Sequence, residues 1–313
     1  MTLGSLGYVG YAKESEEGNL VAPSIFLPVS SFDFEDTNDY IIPDQLRGHR
    51  SRSVAMASPY AVSGSMDLEL VPNGIASLLK SAFAAEVTSG AYTGGGYEHV
   101  FEPGNASDTF TFEASAADVL IRRWGGVRVN TFEMNAAFGE IVTASFGLEG
   151  TTRGTTPTPA EEDYADVEPF HFTGASVKVA GVQLATVKDF TFGTSNNIDR
   201  IGTLNKTRNW RRTALGMFDV NLSATLDFED DAEYERFLAE DEFEVQLHLE
   251  GGIVAGTKRN TLHITLPRVR WQGIGLPLGA TDFLEQSVTA LVLKPAGAPI
   301  FEARLVNSEA SVA

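Results

Sequence analysis

The 313-residue chain contains no cysteine, which excludes disulfide scaffolds, thiolate zinc sites and cysteine nucleophiles. Basic residues are scarce: 23 Lys and Arg stand against 42 Asp and Glu, for a formal net charge of −19. A body of that sign is repelled by nucleic acid phosphates unless a basic patch is segregated on it. Classical high-affinity DNA binding is therefore not expected. No stretch approaches the ~20 apolar residues needed to cross a bilayer. Residues 1–12 lack the basic n-region and apolar core of a secretory signal, and the first basic residue is Lys13. The expectation is a soluble protein made in a reducing compartment.

Catalytic groups are equally sparse. His49, His99, His171, His248 and His263 are scattered, with no H-x-x-x-H or H-E-x-x-H spacing. No G-x-S-x-G elbow occurs. The opening Gly4–Gly10 lacks the Lys-Ser/Thr ending of a P-loop and reads as a flexible arm. Asp227-Phe228-Glu229-Asp230-Asp231 lacks the D-x-D-x-D-G pattern of a calcium loop and reads as the acidic start of a helix. Neither an enzyme nor a metal or cofactor site is expected.

What the chain does have is apolar material, 43% of residues, and a length suited to about two domains. It also resembles itself. Phe32-Asp33-Phe34 recurs 158 residues later as Phe190-Thr191-Phe192. At the same offset Met66/Leu68/Leu70 falls on Ala224/Leu226/Phe228, and Arg50 falls on Arg208. Ile75/Leu78/Leu79 meets Tyr234/Phe237/Leu238, the same helical stripe. Further on the offset contracts: Trp124 to Trp271 is 147 residues and Val142-Thr143-Ala144 to Val288-Thr289-Ala290 is 146. The Gly-rich passage Gly90–Gly96, missing from the second copy between Glu240 and Phe243, accounts for the contraction.

Each copy thus reads as strand, basic arm, strand, helix and further strands. Phe243, Val245, Leu247 and Leu249 alternate with Glu244, Gln246, His248 and Glu250, the period of a half-buried strand. Asn73 is the expected N-cap of the first helix. A linker is expected over Gly150–Pro169. The fold class is mainly β: two tandem β-sandwiches, each with one packed helix.

Several stretches resemble the tail tube proteins of long-tailed (siphovirus-type) phages. They are Gly4-Ser5-Leu6-Gly7-Tyr8-Val9-Gly10-Tyr11-Ala12-Lys13-Glu14, Val21–Val29, Gly64–Ile75 leading to Leu78-Leu79-Lys80, and Asn196-Asn197-Ile198-Asp199-Arg200. The likeness runs over about residues 1–295 and its motifs are diffuse. The chain's acidity departs from the family pattern and leaves a high-salt host open, as does the small share of lysine among its bases, 7 of 23.

The resemblance implies a structural virion protein of the tail, made in the host cytoplasm. Its rings would stack into the conduit for DNA ejection. A duplicated chain implies trimeric, pseudo-hexameric rings, with a hexamer of simple protomers as the alternative. Implied partners are further copies of the chain and the tape-measure, tail-terminator and tail-tip proteins; DNA would pass without specific binding. The division expected is an N-terminal arm (1–21), a first tube domain (22–150), the linker (151–169), a second tube domain (170–297) and a C-terminal tail (298–313).

Two residue sets follow. The acids expected to line the lumen are Asp67, Glu69, Glu113, Glu244 and Glu250. The basic arms, Arg47, Arg50, Arg52, Arg208, Arg211 and Arg212, are expected at contacts between subunits or rings, where they meet acidic neighbours, with phosphate contact as the alternative. The competing class is a carbohydrate-binding or adhesin-type β-sandwich. It requires an exposed aromatic platform, for which Trp210 is the available tryptophan, since Trp124 and Trp271 are expected as paired core positions.

Overall fold

A computed structural model describes residues 6–45, 48–105, 107–116, 120–155, 158–275 and 284–312. The fold is mainly β. In the first half the elements are β1 (Tyr8–Lys13), β2 (Ile25–Phe26), β3 (Val29–Ile41), β4 (Met56–Glu69), α1 (Ala76–Ala82), β5 (Ala85–Ala91), β6 (Tyr97–Pro103), β7 (Phe110–Ala116), β8 (Leu120–Ala137), β9 (Thr143–Gly150) and β10 (Thr152–Thr155). The second half holds β11 (Ser176–Val179), β12 (Val182–Gln183), β13 (Val187–Ser195), β14 (Asp199–Ile201), β15 (Arg212–Ala214), β16 (Asp219–Asp227), α2 (Ala232–Ala239), β17 (Phe243–Ala255), β18 (Lys258–Gly275), β19 (Glu285–Val292) and β20 (Glu302–Asn307).

Both halves use one pairing scheme. Pairs β1–β2, β1–β7, β7–β8, β8–β10, β8–β9, β4–β9 and β3–β4 correspond in order to β11–β12, β11–β17, β17–β18, β18–β20, β18–β19, β16–β19 and β13–β16. Register follows as well. Phe32 faces Met66 and Phe34 faces Gly64; 158 residues later Phe190 faces Ala224 and Phe192 faces Leu222. Downstream the offset set by pairing is 142, not the 146–147 expected from residue identities. Met66 faces Phe146 where Ala224 faces Val288. Val129 and Trp271 each precede a one-residue bulge at matching places. The counterpart of Trp271 is therefore Val129 rather than Trp124: the indoles had suggested a match that the ladder does not follow.

β8 and β18, each 18 residues long, run through both layers of the sandwich. Their C-terminal parts belong to a sheet of order β3-β4-β9-β8-β13-β16-β19-β18, which crosses from one half to the other by the antiparallel β8–β13 pair. Their N-terminal parts belong to the covering layer. Alternation places Phe32 and Phe34 of β3 against Phe112 of β7 and Trp124 of β8, with ring centroids 6.3 Å apart for Phe32–Phe112 and 4.7 Å for Phe34–Trp124. Removal of each such side chain from water contributes ~1.5–3 kcal/mol. Phe83, just after α1, meets Phe132 of the first half and Phe192 and Phe301 of the second. The apolar core is thus continuous between the halves.

Several sequence expectations are corrected. Residues 8–13 are not a loose arm but β1, whose Tyr8, Val9, Tyr11 and Ala12 are buried. Part of the expected linker is β10, paired to β8. Ile75, not Asn73, precedes α1, and Asn73 donates to Ser308 Oγ at 2.8 Å. The Gly-rich passage forms the tip of the β5–β6 hairpin, which extends the second half's covering layer by pairing with β20. A hydrophobic stretch with turn residues between strands signals a hairpin, but sequence does not say which distant edge it will cover.

Candidate functional site

Strand alternation gives the crossing sheet two unlike faces. One is the core; the other presents small and acidic side chains: Asp33 and Glu35 on β3, Asp67 and Glu69 on β4, Ser145 and Glu149 on β9, and Glu133 on β8. Beyond the β8–β13 pair it continues with Asp189, Ser223, Asp227 and Glu285. Asp67 accepts hydrogen bonds from Ser31 Oγ at 3.0 Å and Ser145 Oγ at 2.6 Å, which fixes its carboxylate on the face. Cations near the face are matched to acids: Arg128 to Glu17 at 3.1 Å, Arg270 and Arg268 to Glu242. The hydrogen bonds from Arg268 and Arg270 pull the Glu242 carboxyl down to about 2. Burial pushes Glu149 upward, against the opposing pull of Arg200, which is ion-paired with it.

The expected lumen acids divide. Asp67 and Glu69 share the face just described. Glu244 and Glu250 lie on β17, on the outer surface of the covering layer, where Glu244 accepts from Gln246 at 2.6 Å and Glu250 pairs with Arg259 at 3.2 Å. Glu113 is fully buried, accepting from Tyr8 Oη at 2.5 Å and ion-paired with Arg123. One surface cannot carry all five. Sequence reasoning treated every non-apolar strand position as outward, and a buried ion pair across β7–β8 breaks that rule. Asp33, Glu35, Glu133, Glu149, Asp189, Asp227 and Glu285 share the face with Asp67 and Glu69 and were not among the expected acids, although period-two alternation in their strands points to them.

The basic arms behave differently from each other. Arg47 lies outside the described residues, and Arg50 and Arg52 are exposed, as are Arg211 and Arg212. Arg208 is held within the chain: its guanidinium lies 4.1 Å from the Tyr60 ring centroid, which Arg153 also approaches at 4.2 Å, and donates to Ser58 O at 2.6 Å. Trp210 Nε1 donates to Tyr60 O at 2.6 Å. The second arm thus clamps the β3–β4 hairpin of the first half, and Trp210 is not a free aromatic platform. Trp124 and Trp271 are buried, donating to Asp36 and Glu233 at 2.8 and 2.7 Å.

The ends of the crossing sheet matter most. Among the described residues β3 pairs only with β4, and β18 beyond Val269 pairs only with β19. Both outer edges carry unpaired backbone groups, which exposed sheets must protect or pair. A family model described as phage tail tube protein matches residues 4–295. The chain belongs to the phage tail tube protein family. It is a structural protein of the virion tail that self-assembles into a tube with other tail proteins. Comparison with curated proteins finds no match. No helix among the described residues is long and apolar enough to span a membrane, and no group of three or more His, Asp or Glu there is placed to hold a metal ion.

Proposed function

We propose that this tail tube protein is a tandem duplication whose copies close three to a ring, with six alike halves. Stacked rings form the conduit through which DNA leaves the particle, as in siphovirus-type tails. The observation that carries this reading is the eight-stranded sheet that crosses both halves and ends in two unpaired edges. Head-to-tail contacts that close give rings, and closure removes the edges.

The dimensions suit a conduit. Three copies supply twenty-four strands; at 4.7–4.9 Å per strand and a tilt of about 40°, the barrel is roughly 50 Å across its backbone. Side chains narrow that to roughly 40 Å, room for a duplex to slide. The face away from the core then lines the lumen, with Asp67, Glu69, Glu133 and Asp227 upon it. Like charge within a Debye length of ~8–10 Å discourages phosphate contacts that release counterions, so DNA passes without sticking. Glu244 and Glu250 belong to the exterior in this arrangement. Tape-measure, terminator and tip proteins would meet the lumen and the tube ends.

Negative-stain microscopy of the purified protein over a range of salt tests the reading. Hollow tubes or rings are expected. Particles that stay single at every concentration and salt level, and are retained on a glycan column, would instead support the adhesin-type reading.

A further inference from the structure

Resting on the ring reading, we infer that the joint between copies repeats, residue for residue, the joint between the two halves of one chain. Edge β3 of one copy pairs antiparallel with the outer edge of β18 in the next. The register follows from the two offsets. Inside the chain Ser195 faces Thr131, Thr194 faces Phe132 and Gly193 faces Glu133. Moving β13 to β3 by 158 residues and β8 to β18 by 142 sets Thr37 opposite Gly273, Asp36 opposite Ile274 and Glu35 opposite Gly275.

Three side-chain observations support the transfer. First, Asn196 locks the internal joint: its Nδ2 donates to Ser81 O, Ala82 O and Val129 O at 2.9–3.1 Å, tying β13 to the end of α1. The counterpart of Asn196 is Asn38, an exposed carboxamide on the free edge whose Oδ1 accepts from Arg208 at 3.3 Å. It would bond the last carbonyls of α2 in the neighbouring copy.

Second, the internal joint carries the Arg200–Glu149 ion pair. At the same offsets stand Ile42 and Leu291, an apolar pair, 37% and 42% exposed. A charge pair replaced on both sides at once by two exposed aliphatic side chains makes sense if they meet each other. Third, Arg208 over Tyr60 maps onto Arg50 and Phe218, so Arg50 would lie over the Phe218 ring of the next copy as a cation–π contact.

The unequal helices agree. Ile75, Leu78 and Leu79 of the α1 region are fully buried, whereas their counterparts Tyr234 and Leu238 on α2 are 45% and 57% exposed. A groove of about 750 Å³ also runs beside β3, lined by Phe32, Phe34, Leu120 and Trp124 together with Asp33 and Arg122. A second copy seated on β3 would cover it.

Two variant sets and one measurement test the joint. Leu291→Glu should raise the concentration needed for assembly at least about tenfold, the scale of one lost interaction, and Ile42→Arg added to it should restore assembly by recreating the internal ion pair. In a chain without cysteine, Asp36→Cys with Ile274→Cys should give an oxidation-dependent ladder of linked chains. Each single variant should give no ladder, because directly opposed Cβ atoms lie close to disulfide reach. Hydrogen exchange on the natural chain should show the outward-pointing amides among residues 35–38 and 272–275, those not bonded to β4 or β19, protected in assemblies and open in single chains. Tubes that form with neither ladder nor protection overturn this joint and leave the tube reading standing. A ladder without tubes keeps the joint and removes the tube; neither removes both.

Discussion

The two halves differ most where they are built most alike. Both place a short helix after the second strand of the same hairpin, yet the α1 region is buried and α2 exposes Tyr234 and Leu238. Composition does not explain this, since the apolar stripes match. Position does. α1 ends against Asn196 and Thr194, which reach its last-turn carbonyls from the other half. Among the described residues no side chain of the other half donates to the last carbonyls of α2. In the proposed ring, the difference is that the first half already has its neighbour within the chain and the second awaits one from the next copy. The acids tell a similar story: the first half buries Glu113 between Tyr8 and Arg123, whereas Glu244 and Glu250 of the second stay on the surface.

This contrast can be broken by paired substitutions, read as stability of the dissociated chain in denaturant. The largest effect is expected at Glu113→Ala, which strands Arg123 and should cost about 3–5 kcal/mol; Glu244→Ala should stay within about 0.5 kcal/mol. Next, Leu79→Ala leaves a cavity in the core and should cost about 2–5 kcal/mol. Leu238→Ala should change single-chain stability by less than about 0.5 kcal/mol while weakening assembly in sedimentation. Asn196→Ala leaves three buried carbonyls short of a donor and should cost about 1–3 kcal/mol, against almost nothing for Asn38→Ala in the single chain. Equal costs within any of these pairs would remove the contrast.

The smallest effect concerns pH. His248 and His263 face each other across β17–β18, with ring centroids 5.6 Å apart. Burial lowers both below the ordinary 6.5, helped for each by Lys178 and for His263 also by His248 and Arg304; Glu250 opposes the shift at His248 and Glu302 at His263. The unfolded chain therefore binds more protons, and stability should fall as pH drops below about 6.5 towards the lowered folded values. His248→Gln with His263→Gln should flatten the curve between pH 7 and pH 5. An unchanged slope would mean the pair titrates alike in both states.

Much of this organisation was legible in the sequence because alternation reports burial directly. The inward set of β17 and the Phe32/Phe190 repeat are cases where one physical period decides the outcome. What was not legible depended on distant partners. Trp124 and Trp271 matched by identity, but hydrogen-bond register obeys the bulges after Val129 and Trp271 instead. Glu113 alternates like an outward residue, and only the arrival of Tyr8 and Arg123 from other strands makes its burial tolerable. Arg208 was recognised as one of a matched pair of basic arms, while its target, Tyr60, lies on a hairpin 148 residues earlier and no local pattern names it. The acidic balance was visible as a total, but its division between two surfaces follows from which layer each strand joins.

The central claim is that one duplicated chain supplies two alike positions of a closed sheet. A reconstruction of the assembled tube by electron microscopy tests it most directly. The account predicts three chains per ring, six alike lobes, and an unbroken barrel in which β3 of each chain lies beside β18 of the next. Six chains per ring, or a barrel in which those two strands remain unpaired, would contradict it.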